Sequence, residues 1–447
     1  MKHIIIKKGH DVQISGIPNN DVKQLANSSL FTINPNEFKG LKPKSIVNVG
    51  DKIKIGSPLF FDKNKPAIKV ASTVSGEVKE LIYGNRRLFE KIIIKSDDKL
   101  EALDYKSFTN EDILRLDRDK ILDNILSANI FHVISQRPFN KVANPADIPR
   151  DIFISCKNTA PLSVNLESII AMSLSDFQSG VNALSVLTEG DVFLTSEKQS
   201  VTSEIQNARI NSIEGPHPSG NVGVQIHHLS PIKPEQIIWT INAQDVIMIG
   251  KLFRCGELDF NRVVSVGGPQ VLTPTNFKIR IGNNLTSLFK KEIKEGNVRI
   301  IAGNVLDGKK VQDDYSLGFY DFSICAISED INREFLGMLK PGSASSRYSL
   351  SNSFFTAFQK LFDFTASQNG NHRAVVPIGS WEKVLPLDIY PNELYRAILA
   401  EDIEEMEQLG ILECDSEDFS LCSFVCPSKT DVSGVIKKGL ALIEAGA

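Results

Sequence analysis

The cysteines near the carboxyl end come closest to a recognisable chemistry. Cys422-Ser423-Phe424-Val425-Cys426-Pro427 matches the end of the iron–sulfur spacing C-x2-C-x2-C-x3-C-P, but the two earlier ligand positions hold Ser416 and Phe419. Two thiolates cannot hold a four-iron cluster, and Cys414 stands off the spacing. The three read as small half-buried residues of a helical segment, a ferredoxin-type motif stripped of its cluster. His217, His227 and His228 offer zinc-type nitrogen donors in "GPHPSGNVGVQIHH". Read as a strand, the pair His227-His228 points to opposite faces, and no Cys or Glu has the right offset. The glycines and prolines argue for a shaped loop in which His217 contacts backbone or a partner. Gly303-Asn304-Val305-Leu306-Asp307-Gly308-Lys309-Lys310 follows an apolar run as a P-loop would, yet Lys310 has no hydroxyl for Mg²⁺ and Asp307 repels phosphate. It reads as a Lys-bearing turn. No catalytic, cofactor-binding or metal-binding residue is assigned, and no Gly-x-Ser-x-Gly or His-Glu-x-x-His occurs.

The elements that would position such groups fall into blocks. Residues 41–94 alternate apolar positions between Gly, Pro, Asn and Asp, as short strands do. The run "VNVGDKIKIGSPLFFDKNKPAIKVASTVSGEVKELIYG" resembles the barrel-sandwich hybrid domains of biotinyl and lipoyl carriers. Lys63 and Lys65 would be the carrier lysines, but Asp62–Pro66 matches that hairpin loosely and reads as a solvated turn. From Thr109 the period changes. Thr109-x-x-Asp112 caps a helix whose Leu114, Ile121 and Ile125 share one face. A strand at 152–154, a helix around 166–174 and a strand at 192–194 make an α/β unit. A dinucleotide-binding unit needs glycines at its first turn, whereas the next glycine after that strand is Gly180 and no Gly-x-Gly occurs in the chain. Residues 256–330 return to β signals, and "GGPQVLTPTNFKIRIGNNLTSLF" resembles the SLBB β-grasp module. Helices are expected over 391–405 and 432–444. The reading is an α/β and all-β multidomain chain: 1–100 barrel-sandwich hybrid, 101–255 Rossmann-like without a cofactor motif, 256–330 SLBB, 331–378 connecting β region, 379–447 a C-terminal helical ferredoxin-like domain without a cluster.

Composition agrees. With 447 residues, 42% hydrophobic and 23% charged, the chain suits three or four folded domains. Lys+Arg of 50 against Asp+Glu of 54 leaves a net charge of −4, with no basic footprint for nucleic acid. Six scattered cysteines fit a reducing cytoplasm rather than a disulfide scaffold. The start has three consecutive isoleucines between charges, too few for an export signal, and no stretch is apolar enough to span a membrane.

Five long runs bring these blocks together: "GPHPSGNVGVQIHHLSPI", "WTINAQDVIMIGKLF", "NREFLGMLKPG", "HRAVVPIGSWEKVLPLDIYP" and "LCSFVCPSK". They closely resemble the A-subunit family of the bacterial Na⁺-translocating NADH:quinone oxidoreductases (Na⁺-NQR), over essentially the whole chain. That family is similar to the C subunit of the Rnf complex and to the NADH-binding flavoprotein subunit of complex I. Where the latter has a glycine-rich flavin loop and a Glu-Gly-Glu-Pro turn, this chain has "SQRPFNKVANP" and Cys156-Lys157-Asn158-Thr159-Ala160-Pro161, without the two carboxylates. The resemblance implies a component of an enzyme complex, a translocase coupling NADH oxidation and ubiquinone reduction to Na⁺ export. It implies a peripheral position on the cytoplasmic face of the inner membrane, held by the membrane-embedded B subunit in a hetero-hexamer A to F. It places flavins and iron–sulfur centres on other subunits, with NADH oxidised on the F subunit. This chain would serve assembly and coupling without a cofactor; a quinone-binding module is the alternative. His217, Arg373, Trp381 and Asp388 are the expected partner contacts, the last three within the segment 372–389. Arg373 pairing with a local carboxylate and Trp381 filling a core are the competing readings.

Overall fold

A computed structural model describes residues 2–198, 200–233, 235–329, 336, 339, 347–350 and 360–446. Leu30–Ile33, Phe89–Ser96, Gly76–Tyr83 and Lys52–Ile53 form one antiparallel sheet, and Pro43–Ser45, Pro58–Asp62 and Lys69–Ala71 form a second. Alternation along Phe89–Ser96 sends Ile92 and Ile94 inward, and a register shift against Gly76–Tyr83 brings Phe89 into the same core, shared with Phe31, Phe60 and Val70 of both sheets. Asp62 closes the 62–66 hairpin by accepting from the Lys42 and Asn64 N–H groups at 2.9 and 3.1 Å, which leaves Lys63 exposed.

The second unit is a seven-stranded sheet ordered His3–Ile5, Arg209–Glu214, Val192–Ser196, Ile152–Ser155, Ile238–Asn242, Ser135–Arg137, Lys141–Val142. The first five are parallel, and Val192–Ser196 is buried throughout, as a strand covered on both faces must be. Helices Leu174–Ser185 and Ala243–Cys255 lie against each other because each lacks a side chain at the crossing. A Cβ on Gly250 would land inside the Asp176 carbonyl oxygen, and one on Gly180 inside that of Val246. Asn242 caps the second helix at its start, and Gly256 ends it at φ 69°.

The third unit is a six-stranded sheet ordered Lys309–Val311, Val298–Ala302, Ser323–Ser328, Asn261–Gly267, Thr275–Arg280, Val22–Gln24. Helix Thr286–Glu292 buries Leu288 and Phe289 against it. The fourth comprises helices Pro391–Ala400, Ile403–Gln408, Ser420–Val425 and Val432–Gly446 around Trp381, Phe419 and Leu421. Among the described residues, no helix is long and apolar enough to cross a membrane.

Four expectations need correction. The unit expected at 1–100 gives its first two strands away: His3–Ile5 pairs with Arg209–Glu214, and Val22–Gln24 with Thr275–Arg280. The helix expected from Thr109 breaks into Asn110–Arg115 and Arg118–Ser127, because Asp117 caps the second piece, and Leu114 is exposed. The helix expected over 391–405 stops where Glu401 turns left-handed at φ 57° and Asp402 caps a new start. His227 and His228 lie on helix Val222–Leu229, not on a strand. Much of the connecting region expected at 331–378, with most of the run at 332–342, lies outside the described residues.

Candidate functional site

An open parallel sheet takes its ligand beyond the carboxyl ends of its strands, where strand order reverses. Here the reversal falls at Ile152–Ser155, with Val192–Ser196 on one side and Ile238–Asn242 on the other. The cavity beyond it is about 170 Å³, lined by Cys156, Lys157, Asn158, Asn165, Glu167 and Glu197 among others. Ligand pockets run from roughly 300 Å³ upward. The chain itself occupies the rest. Ser155 Oγ donates to the Gly220 carbonyl at 2.9 Å, the Gly220 N–H donates to Thr159 Oγ1 at 2.9 Å, and Gln225 Nε2 donates to Ser155 Oγ at 2.8 Å. A Cβ on Gly220 would sit 2.6 Å from the Thr159 nitrogen, so the loop is pressed onto the crevice floor. Lys157, the one cation in that lining, is spent on the Ile213 carbonyl at 3.2 Å and on Glu197 at 3.4 Å. His217 belongs to the same plug. Its N–H donates to Asp11 Oδ1 at 2.8 Å, Nδ1 lies 3.1 Å from Thr159 Oγ1, and burial pushes its pKa down to about 4. A larger cavity of about 710 Å³ opens at the opposite, amino end of the strands, beside Lys2, Asp151, Asp191 and Arg209.

The richest polar junction joins the α/β unit to the helical carboxyl unit. Arg137, 3% exposed in its side chain, places Nη2 2.8 Å from Glu417 Oε1 and 3.3 Å from Asp415 Oδ2. Asn140 donates to Asp415 at 2.5 Å. Asp418 packs beside Gly223 in the first turn of helix Val222–Leu229. Burial, with Glu417 beside it, pushes Asp418 up to about 8, and burial raises Glu417 as well against the pull of Arg137. On the same helix, His227 Nδ1 lies 3.0 Å from Glu413 Oε2, its Nε2 accepts the Asp388 N–H at 3.1 Å, and His228 Nε2 donates to the Pro386 carbonyl at 3.0 Å. The adjacent histidines therefore clasp the 386–388 turn. Among the described residues, no group of three or more His, Cys, Asp or Glu is arranged to hold a metal.

The cysteines are packing residues. Cys414, Cys422 and Cys426 are buried, and burial raises the thiols of Cys414 and Cys422 far above their ordinary value, which keeps them protonated. Cys422 Sγ faces the Trp381 carbonyl at 3.9 Å. Gly303–Gly308 joins two antiparallel strands, Val298–Ala302 and Lys309–Val311, so its lysines follow a hairpin rather than open a helix.

Three family models cover most of the chain: the NqrA N-terminal barrel-sandwich hybrid domain over residues 4–97, the NqrA second alpha/beta domain over 116–258, and the NQRA C-terminal domain, an SLBB module, over 263–313. The A subunit of the Na(+)-translocating NADH-quinone reductase of Tolumonas auensis is 36% identical over 446 residues, covering 99% of both chains. The chain belongs to the NqrA family, the A subunits of Na(+)-translocating NADH-quinone reductases. The NqrA proteins of Pasteurella multocida, at 37% over 446 residues, and of Marinomonas sp., at 35% over 442, match across 99% and 98% of this chain and 99% of their own lengths. The fold class follows the family: barrel-sandwich hybrid, α/β and SLBB units in chain order.

Of the four expected contact residues, His217 and Trp381 are each 2% exposed within this chain alone, so neither reaches another protein in this conformation. Trp381 fills the core of the helical unit against Tyr395. Arg373 and Asp388 are exposed. Among the described residues Arg373 has no carboxylate partner; its N–H and Nη2 donate to the carbonyls of Ser428 and Pro427 at 3.1 and 3.3 Å. Near them in sequence Val376, Ile378 and Tyr390 are 56%, 62% and 70% exposed. Sequence reasoning missed Arg137 and its acidic partners. A run such as Glu413-Cys414-Asp415-Ser416-Glu417-Asp418 reads as a solvated surface, and nothing local announces an arginine nearly 300 positions earlier.

Proposed function

We propose that this chain is the peripheral, non-redox NqrA component of a Na⁺-translocating NADH:quinone reductase, the translocase that couples NADH oxidation and ubiquinone reduction to Na⁺ export. It docks on the cytoplasmic face of the membrane-embedded B subunit within a hetero-hexamer A to F, and reaches the inner membrane through that partner only. Flavins and iron–sulfur centres belong to the other subunits. The observation that carries this reading is full-length identity of 35–37% to proteins of that name. The self-plugged crevice at the strand ends and the protonated, buried thiols support a chain that scaffolds rather than carries electrons. The exposed apolar residues around Arg373 and Asp388 are the proposed docking face, since apolar groups left in water mark interfaces.

The test is co-purification of the complex carrying Arg373→Glu with Ile378→Asp. The expected result is loss of this chain from washed membranes while it stays folded in isolation. Retention at the native level overturns the docking face. A stoichiometric flavin absorbance in the purified chain overturns the non-redox role. A saturable ubiquinone-dependent rise in its melting temperature favours a quinone-binding module instead.

A further inference from the structure

Three units meet at one carboxyl pair. Glu37 ends the short helical turn Pro35–Glu37 of the barrel-sandwich unit. Its Oε2 accepts the Phe319 N–H of the SLBB unit at 2.9 Å. Asp321 lies two residues further on and accepts from the Gly318 N–H at 2.8 Å and the Tyr315 hydroxyl at 2.5 Å, both on Oδ2. A Cβ on Gly318 would meet Glu37 Oε2 and Asp321 Oδ2 together, so the two carboxyls crowd one spot. Only a residue without a side chain fits between them. The adjoining wall is aromatic and buried. Phe38 packs edge-on against His132 at 4.9 Å between ring centroids and tilted against Phe319 at 5.2 Å, and the Tyr320 hydroxyl donates to the His132 carbonyl at 2.8 Å. His132 brings the α/β unit to the same junction.

The other charged and titratable groups facing Glu37 leave it poorly compensated. Lys309, from the strand Lys309–Val311, is the favourable cation, and its Nζ lies over the Tyr315 ring at 5.3 Å. Arg262 is committed to Asp245 and to the Phe319 carbonyl. His132 is held neutral, its pKa pushed by burial down to about 3. Tyr315 and Tyr320 stay protonated, each raised chiefly by burial. Glu37 is half-buried and Asp321 buried, and two carboxylates this close cannot both ionise freely.

We propose that Glu37, crowded by Asp321, forms a proton-operated latch between the barrel-sandwich and SLBB units, closed while Glu37 holds its proton and loosened when it is lost. Burial, with Asp321 beside it, pushes Glu37 up to about 7 from an ordinary 4.5. Because the closed-state value is raised, closure is strongest below about 4.5, weakens as pH rises from there, and has lost the whole contribution once pH passes about 7. Domain seating in this chain would thus answer to pH on the approach to neutrality.

The Phe319 amide reports the latch directly, because it donates to Glu37. In the full-length chain, amide exchange at Phe319, corrected for its intrinsic pH dependence, is expected to show an opening constant rising about tenfold per pH unit between roughly 5 and 7 and levelling above. Glu37→Gln keeps an acceptor oxygen for that N–H and is expected to flatten the profile. Asp321→Asn is expected to move the plateau to lower pH by removing the like charge. A flat profile in the unsubstituted chain overturns the latch without recourse to a variant, as does an unchanged slope in folded Glu37→Gln.

Discussion

Replacing Arg137 by methionine tests how the helical carboxyl unit is held. The side chain is 3% exposed and faces Asp415, Glu417 and Asp418, so its charge serves three buried or half-buried carboxyls, with Lys39 a weaker second cation toward Glu417. Methionine keeps much of the volume and removes the charge. Leaving buried carboxylates without their partner costs about 3–5 kcal/mol. That cost depends on pH. Asp418 is raised to about 8 from 3.8, so its contribution is fully present below about 4 and is lost as pH climbs through 8. Without Arg137 the carboxyls ionise at still greater cost, so the variant suffers most at alkaline pH and recovers in acid. The chain has two tryptophans, Trp239 in the α/β unit and Trp381 in the helical unit. Urea unfolding followed by emission in a Trp239→Phe background therefore reports the helical unit alone. A loss of about 4 kcal/mol over a slope of about 2 kcal/mol/M lowers the midpoint at pH 8 by about 2 M. Less than half of that shift is expected at pH 5. In a double-mutant cycle with Glu417→Gln, the two losses should fall short of additivity by about 0.5–3 kcal/mol. A shift below about 0.5 M at pH 8, or one of equal size at both pH values, refutes the reasoning.

Two further outcomes follow from packing. Gly250→Ala should destabilise the α/β unit by about 2 kcal/mol or more, since the backbone collision with Asp176 outweighs the roughly 1 kcal/mol that alanine offers a helix. Gly439→Ala is the contrast, because the nearest atoms its new methyl would meet are side-chain carbons, Ile411 Cδ1 at 2.7 Å and Ile398 Cγ1 and Cδ1 at 2.8 and 2.9 Å, which yield more readily than backbone. Urea midpoints of the two variants decide it; equal losses would mean that backbone contact is not the cause. Alkylation of the native chain should label Cys255 rapidly and the other five cysteines only on unfolding, as read by intact mass. Fast labelling of Cys422 would contradict its burial.

Much of the architecture was legible because local patterns carried it. Alternating apolar positions between turn residues marked the strands of the barrel-sandwich unit, and the Thr109–Asp112 box did cap a helix. Boundaries went wrong where a second cap or a left-handed residue won over apolar periodicity, as at Asp117 and Glu401. The histidine pair was misplaced because four apolar or small residues before it, Val222 to Val224 and Ile226, suit a strand as readily as a helix. The site was less legible still. His217, which its glycine- and proline-rich loop marks as a contact, is a buried brace, whereas nothing around Glu37 in sequence marks it.

Taken alone, the order of residues determined the kinds of unit present, the family, and the absence of a glycine cradle at the first α/β turn, because these depend on neighbours within a few positions. Only the folded chain decided where the first 24 residues go, that loop 217–221 plugs the strand ends, and that Arg137 answers Glu417 across 280 residues. Burial and charge pairing are sums over groups that meet only in space. No stretch of sequence carries the dielectric around a carboxyl, which is why Glu37 and Asp418 became informative only once their surroundings were in place.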